Sequence, residues 1–136
     1  MVKELASREE TSGRPTVVVA EDDEILRRYF VDVLEFEGYE VLSAGDGIDA
    51  FQLVYDRPDT RALVTDIDMP RMDGFTLARW VREIRDNLDV IYVSGRHEVE
   101  LIGRRVPGSL FLSKPCTPDS LLCAMQGLLG PATLHS

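Results

Sequence analysis

The chain is 136 residues long, 44% hydrophobic and 29% charged, and its 24 acidic against 15 basic residues leave a formal net charge of -9. That length and balance describe one globular domain with a real core, not a disordered chain. The acidic excess argues against direct nucleic-acid binding, which needs a basic face; no apolar run approaches the roughly 20 residues of a membrane span, and "MVKELASREETSGRP" lacks the apolar segment of a secretory signal. A cytoplasmic protein with no membrane and no direct nucleic-acid partner is expected.

In chain order, residues 1–14 are polar and without sustained period, and read as a flexible leader. A domain is expected over 15–130, with an irregular tail at 131–136. "TVVVA" is a β-branched run of the kind found in strands buried on both faces. The helix that follows carries Ile25, Leu26, Tyr29, Phe30, Val33 and Leu34 on one predicted stripe and closes at Gly38. The same strand-then-helix pattern recurs as "YEVLSA" with "GIDAFQLVY", as "ALVTD" with "GFTLARWVREIR", and as "DVIYVS" with a weak helix in "HEVELIGRR". "SLFLS" then leads to a last helix, "TPDSLLCAMQGLL", in which Thr117 suits the N-cap, Pro118 the first helical position and Asp119 the positive end of the dipole. Five strands alternating with helices predict an α/β fold with a doubly wound, mostly parallel sheet.

Ligands of such sheets bind outside the carboxyl ends of the strands. This sequence places Glu21, Asp22 and Asp23 after the first strand, Asp66 and Asp68 after the third, Ser94 and Gly95 after the fourth, and Lys114 and Pro115 after the fifth. The end of the second strand offers only a turn. Carboxylates gathered without a histidine are hard-oxygen ligands suited to Mg²⁺ or Mn²⁺. A lysine and a hydroxyl beside such an ion are the equipment of phosphoryl transfer, with a carboxylate available as nucleophile. No phosphate-binding loop of the GxxxxGK[ST] type is present. Cys116 and Cys123 are too few for a disulfide framework and read as reduced thiols, Cys123 as helix packing; His97 and His135 stand apart, so zinc has no support.

The motifs "VVVAEDD", "LVTDIDMPRMDGF", "VIYVSGR" and "LFLSKP", in this order at the ends of strands one, three, four and five, resemble the receiver domain of two-component response regulators over residues 16 to about 129. The resemblance implies a flavodoxin-like strand order of 2-1-3-4-5 and a signalling phosphoacceptor, not an enzyme, that assists its own phosphorylation and dephosphorylation. It assigns Asp66 as acceptor of a phosphoryl group from a sensor histidine kinase or phosphotransfer protein. Glu21 and Asp22 become the acidic metal pair, Asp68 the residue whose backbone carbonyl completes the shell, Ser94 the switch hydroxyl, Lys114 the phosphate-binding lysine with a cis bond to Pro115, and Phe111 the switch aromatic. It implies a downstream protein partner, or a homodimer, on the surface of the fourth helix, fifth strand and last helix.

This sequence departs from the family pattern in "RHEVELIGRRVPG", whose Gly103, Pro107 and Gly108 predict a short or irregular fourth helix. Phe111 lacks the hydroxyl of a switch tyrosine. Arg96 and Asp68 flank the site and are placed to pair across it. Taken singly, Asp23 is explained by the helix dipole, Phe111 and Trp80 by packing, and Arg104 with Arg105 by a solvated helix face. Two other readings stand beside the receiver: a haloacid-dehalogenase-like phosphatase using Asp66 and Asp68, which needs a later acidic pair that is missing, and a Toprim-like nuclease domain, whose glycine beside Glu21 is missing.

Overall fold

The computed structural model describes residues 13–130, so the leader and the tail expected at the two ends lie outside the described residues, apart from Gly13 and Arg14. The chain runs β1 (Thr16–Ala20), α1 (Glu24–Glu37), β2 (Glu40–Ala44), α2 (Gly47–Asp56), β3 (Thr60–Thr65), α3 (Gly74–Ile84), β4 (Asp89–Ser94), a short 3-10 helix (Glu98–Leu101), β5 (Leu110–Ser113) and α4 (Pro118–Leu129). All strands are parallel, in the order β2-β1-β3-β4-β5, which is the doubly wound order expected. No described helix is long and apolar enough to cross a membrane.

Alternation along the strands builds two cores. Val17, Val19, Val64 and Ile91 face α1 and α4, packing on Phe30, Leu34, Leu121 and Met125. Val18, Leu63, Val90 and Tyr92 face α2, α3 and the 3-10 segment, packing on Ala50, Val54, Phe75, Leu77 and Val81. Helix starts are set by side chains that accept a backbone N–H three residues on: Asp23 from Leu26, Asp46 from Asp49, Asp73 from Thr76 and Thr117 from Ser120. Asp23, which the dipole argument placed at a helix start without a specific bond, is the N-cap itself. Gly38, at φ 111°, ends α1 in the left-handed region that favours glycine.

Three sequence expectations need correction. Ile25 does not join the buried stripe of α1; it is 85% exposed, because it sits about 100° around the helix from Leu26 and away from Phe30 and Leu34. Cys123 is exposed on α4 and contributes no core packing, whereas Cys116 is buried. Arg104 and Arg105 do not simply face solvent: Arg104 stacks 4.1 Å over the Phe75 ring, and Arg105 bonds Ser109 and Glu98. The irregular fourth helix is present as expected, reduced to four residues and followed by turns with Gly103 and Gly108 at positive φ.

Candidate functional site

Each acidic and basic residue of the crevice is held one step beyond a strand by a backbone bond to the neighbouring strand. Glu21 N–H donates to Ala44 O at 3.1 Å, Asp66 N–H to Ala20 O at 2.9 Å, and Lys114 N–H to Ser94 O at 2.9 Å. The parallel register sets Ala20 beside Thr65 and Ser94 beside Ser113, so these positions reach one edge together. The peptide bond between Lys114 and Pro115 is cis.

Lys114 Nζ lies 3.0 Å from Glu21 Oε1 and 3.2 Å from Asp66 Oδ2. Glu21 is 1% exposed, Asp66 is buried, and Asp22 stands at the rim; carboxylate oxygens of all three lie within 4.8 Å of one another. Of the three clustered carboxylates the single ammonium pairs with two, Glu21 and Asp66, and Glu21 Oε1 is buried with the Lys114 charge beside it but no well-directed hydrogen bond. An ionised carboxylate so placed calls for a further cation. This donor set, oxygen only and open on the Asp22 side, fits Mg²⁺ or Mn²⁺.

The electrostatics agree. Burial pushes the Glu21 carboxyl above the usual range and the Asp66 charge adds to it, against the Asp23 N–H and Lys114. For Lys114 burial works downward, but the bond to Glu21 and the charges of Asp66 and Glu21 outweigh it and leave the ammonium raised. Lys114 therefore stays charged where a phosphoryl oxygen would need it.

Asp66 is aimed by its surroundings. Its Oδ1 accepts the Ile67 N–H at 2.7 Å, leaving Oδ2 toward Lys114. The backbone behind it is pressed against Gly74, where a Cβ would stand 2.1 Å from Asp66 O, and Gly74 N–H donates to Ile67 O at 2.8 Å. Gly74 lies inside the motif "LVTDIDMPRMDGF", but the sequence alone gives no sign of this close approach, which only a glycine allows. Sequence reasoning also missed Arg27, whose guanidinium donates to Glu21 O at 2.8 Å.

Of the expected site residues, the fold brings Glu21, Asp22, Asp66 and Lys114 together. Ser94 is fully buried at the end of β4, and its Oγ accepts the Arg96 N–H at 3.0 Å instead of meeting a carboxylate. The Asp68 carboxylate is outside the cluster. It takes two bonds from Arg96, at 2.6 and 3.1 Å, which hold its carboxyl below the usual range, and so the pair expected across the rim is formed. Phe111, half-buried in register with Tyr92, packs against the core under α3.

Residues 17–126 match the family model described as the response regulator receiver domain. Among curated proteins, response regulator MprA of Mycobacterium ulcerans (strain Agy99) is 35% identical over 116 residues, which is 83% of this chain and 49% of that protein. The chain thus spans about half the length of the curated relatives it matches. Among solved structures, a response regulator receiver protein from Sinorhizobium medicae WSM419 aligns with a TM-score of 0.81 at 32% identity, covering 85% of this chain and 94% of that one. Chemotaxis protein CheY4 of Vibrio cholerae aligns at 0.78 with 26% identity, covering 85% and 99%.

Proposed function

Because the chain belongs to the response regulator receiver family, the signalling domain of two-component systems, we propose that Asp66 accepts a phosphoryl group from a phosphohistidine of a sensor kinase or phosphotransfer protein. The observation that carries this reading is the buried Asp66 carboxylate 3.2 Å from Lys114 and within one cluster with Glu21 and Asp22.

In this reading Asp66 Oδ2 attacks phosphorus in line while Oδ1 stays fixed by the Ile67 N–H. The P–O bond forms as the donor P–N bond breaks, and the imidazole nitrogen keeps the electron pair. Lys114, already charged, leaves its pairing with Glu21 and Asp66 to meet the phosphoryl oxygens. Glu21, Asp22 and Asp66, with the Asp68 backbone carbonyl, would hold Mg²⁺ or Mn²⁺, which when bound supplies charge neutralisation of the transferring group. Ser94 then exchanges the Arg96 N–H for a phosphoryl oxygen, and Phe111 fills the space its movement leaves. The 3-10 segment, β5 and α4 form the surface this biases toward a downstream partner.

An apolar groove beside Lys114, lined by Ile25, Leu26, Tyr29, Pro115 and Cys116, supports a protein as donor. Tyr29 donates to Cys116 O at 3.1 Å and fixes α1 to the loop after β5, so the groove is preformed. The deciding experiment is incubation with acetyl phosphate and Mg²⁺. An acid-stable, base-labile adduct absent from Asp66→Asn supports the reading; no adduct overturns it.

A further inference from the structure

The turn after β2 supplies no carboxylate to the cluster, yet it touches both segments that do. Ala44 O accepts the Glu21 N–H at 3.1 Å, and Gly45 lies under the Arg27 guanidinium that bonds Glu21 O, so close that a Cβ would stand 3.0 Å from Nη1. On the other side Gly47, the first residue of α2, is pressed against the loop after β3, where a Cβ would stand 2.4 Å from Met72 O. Between them Asp46 uses its two carboxylate oxygens for different tasks. Oδ1 accepts the Asp49 N–H at 2.8 Å and caps α2, while Oδ2 takes the Arg71 guanidinium at 2.8 Å.

Arg71 is an unfavourable choice at its position. With φ 70° it is the one non-glycine residue in the left-handed region among the described residues, and the Met72 N–H donates to Pro70 O at 2.7 Å, closing a three-residue turn around it. Such turns are rare and strained for any residue but glycine. Its charge is also badly placed for α2, since a cation beside a helix N-terminus opposes the dipole. Neither the backbone nor the helix accounts for an arginine here, so the side chain is what the position uses. Its pair with Asp46 holds the loop three residues after Asp68, and on the other side Arg96 holds the Asp68 carboxylate at 2.6 and 3.1 Å. With Gly74 N–H bonded to Ile67 O at 2.8 Å, the loop has a fixed base and two lateral ties.

We propose that Arg71 and Asp46 are positioning residues for the divalent ion, their pair fixing the loop so that the Asp68 backbone carbonyl stays available to the cluster of Glu21, Asp22 and Asp66. The ion is that of the proposed function, and this role rests on that reading of the four groups as one metal shell. A loop already set spares the ion the ordering of its own ligand, so loss of the pair weakens binding although every ligand remains. Charge alone predicts the opposite for one partner. Arg71→Gly takes a cation away from the neighbourhood of the site and relaxes the backbone, so a purely electrostatic role would tighten a divalent ion, and a role in the turn alone would leave its affinity unchanged.

Mn²⁺ binding to the full metal-free chain, read from the loss of the free-ion signal in electron paramagnetic resonance, tests it. Arg71→Gly and Asp46→Asn should each raise the Mn²⁺ dissociation constant about three- to tenfold. Asp46→Asn keeps the oxygen that caps α2 and loses the one that meets Arg71. The double variant should bind within about twofold of either single one, because both changes remove the same pair. Arg71→Lys should restore binding, since a single Nη1 contact asks only for a point charge. Thermal melts of the metal-free variants by circular dichroism confirm the fold, with Arg71→Gly at or above the wild type. Variants that hold Mn²⁺ as the wild type does, an Arg71→Gly chain that holds it tighter, or losses that simply add overturn the proposal and leave the assignment of the site standing. A wild-type chain that takes up no Mn²⁺ at millimolar concentration overturns both.

Discussion

Two clusters of charge close the two ends of the same sheet, and they are built on opposite terms. At the amino ends of the strands the Arg57 guanidinium reaches Asp59 at 3.0 and 3.1 Å, Glu40 at 3.2 Å and Thr16 at 3.4 Å, and Thr16 Oγ1 donates back to Asp59. The acids sit half in water and accept directed donors. At the carboxyl ends three carboxylates crowd one edge with a single ammonium, which pairs with the two buried ones, Glu21 and Asp66, and not with Asp22 at the rim. The first arrangement is complete within the chain and ties β1, β2 and β3 together. The second gathers more negative charge than the chain neutralises, and that is the end at which we propose the phosphoryl transfer takes place.

Breaking the open end has the largest effect. Asp66→Asn abolishes phosphoryl labelling by acetyl phosphate outright, and Lys114→Met slows it roughly a hundred- to a thousandfold, read by autoradiography or mass shift over time. Ile25→Glu is expected to spare labelling by the small donor but to lower transfer from a cognate kinase domain, since in the proposed reading only a protein donor would fill the groove beside Lys114.

The stability effects sharpen the contrast. Gly74→Ala forces a methyl group against Asp66 O and costs about 2–3 kcal/mol in urea unfolding. At the closed end Arg57→Ala strands two carboxylates and costs about 1–2 kcal/mol. At the open end the sign inverts: Asp22→Asn in metal-free protein raises Tm by relieving repulsion, and at the same time removes the stabilisation that added Mg²⁺ gives the wild type.

Acid titration separates the two ends last and least. The bond from Arg57 holds the Asp59 carboxyl below its usual range, so its stabilising contribution is present above the unfolded carboxyl value and is lost as pH falls through the lower folded one. Burial raises Glu21 instead, so in metal-free protein its ionisation opposes folding as pH rises through the ordinary glutamate range. Tm against pH for Arg57→Ala should show a shallower acid limb than wild type, and for Glu21→Gln a steadier Tm above that range.

How much of this was legible beforehand depends on whether the cause is local. "TVVVA" and "DVIYVS" coincide with β1 and β4 because strands buried on both faces must be apolar at every position, which shows in the sequence without knowledge of neighbours. Asp66 and Lys114 were legible for a related reason: a charge directly after such a run has to emerge at the strand end. The cap Thr117 acts within three residues and was likewise visible. Ile25 was misjudged because both it and Leu26 fit an apolar period, and only the seating of α1 on the sheet chooses between them. Trp80, read as packing, does stack on Phe51, but only the seating of α3 decides that about half of it stays in water.

The sequence by itself determined the alternation of strand and helix and which charges would meet at one edge, because both follow from spacing along the chain; the order of the sheet came from the resemblance its motifs carry. Only the tertiary structure decided that Lys114 sits between Glu21 and Asp66, that Gly74 must stay bare behind Asp66, that Arg27 reaches the Glu21 carbonyl, and that Tyr55 and Trp80 stand partly in water. Those depend on ångström distances between segments far apart in the chain, which close packing sets and no local pattern encodes.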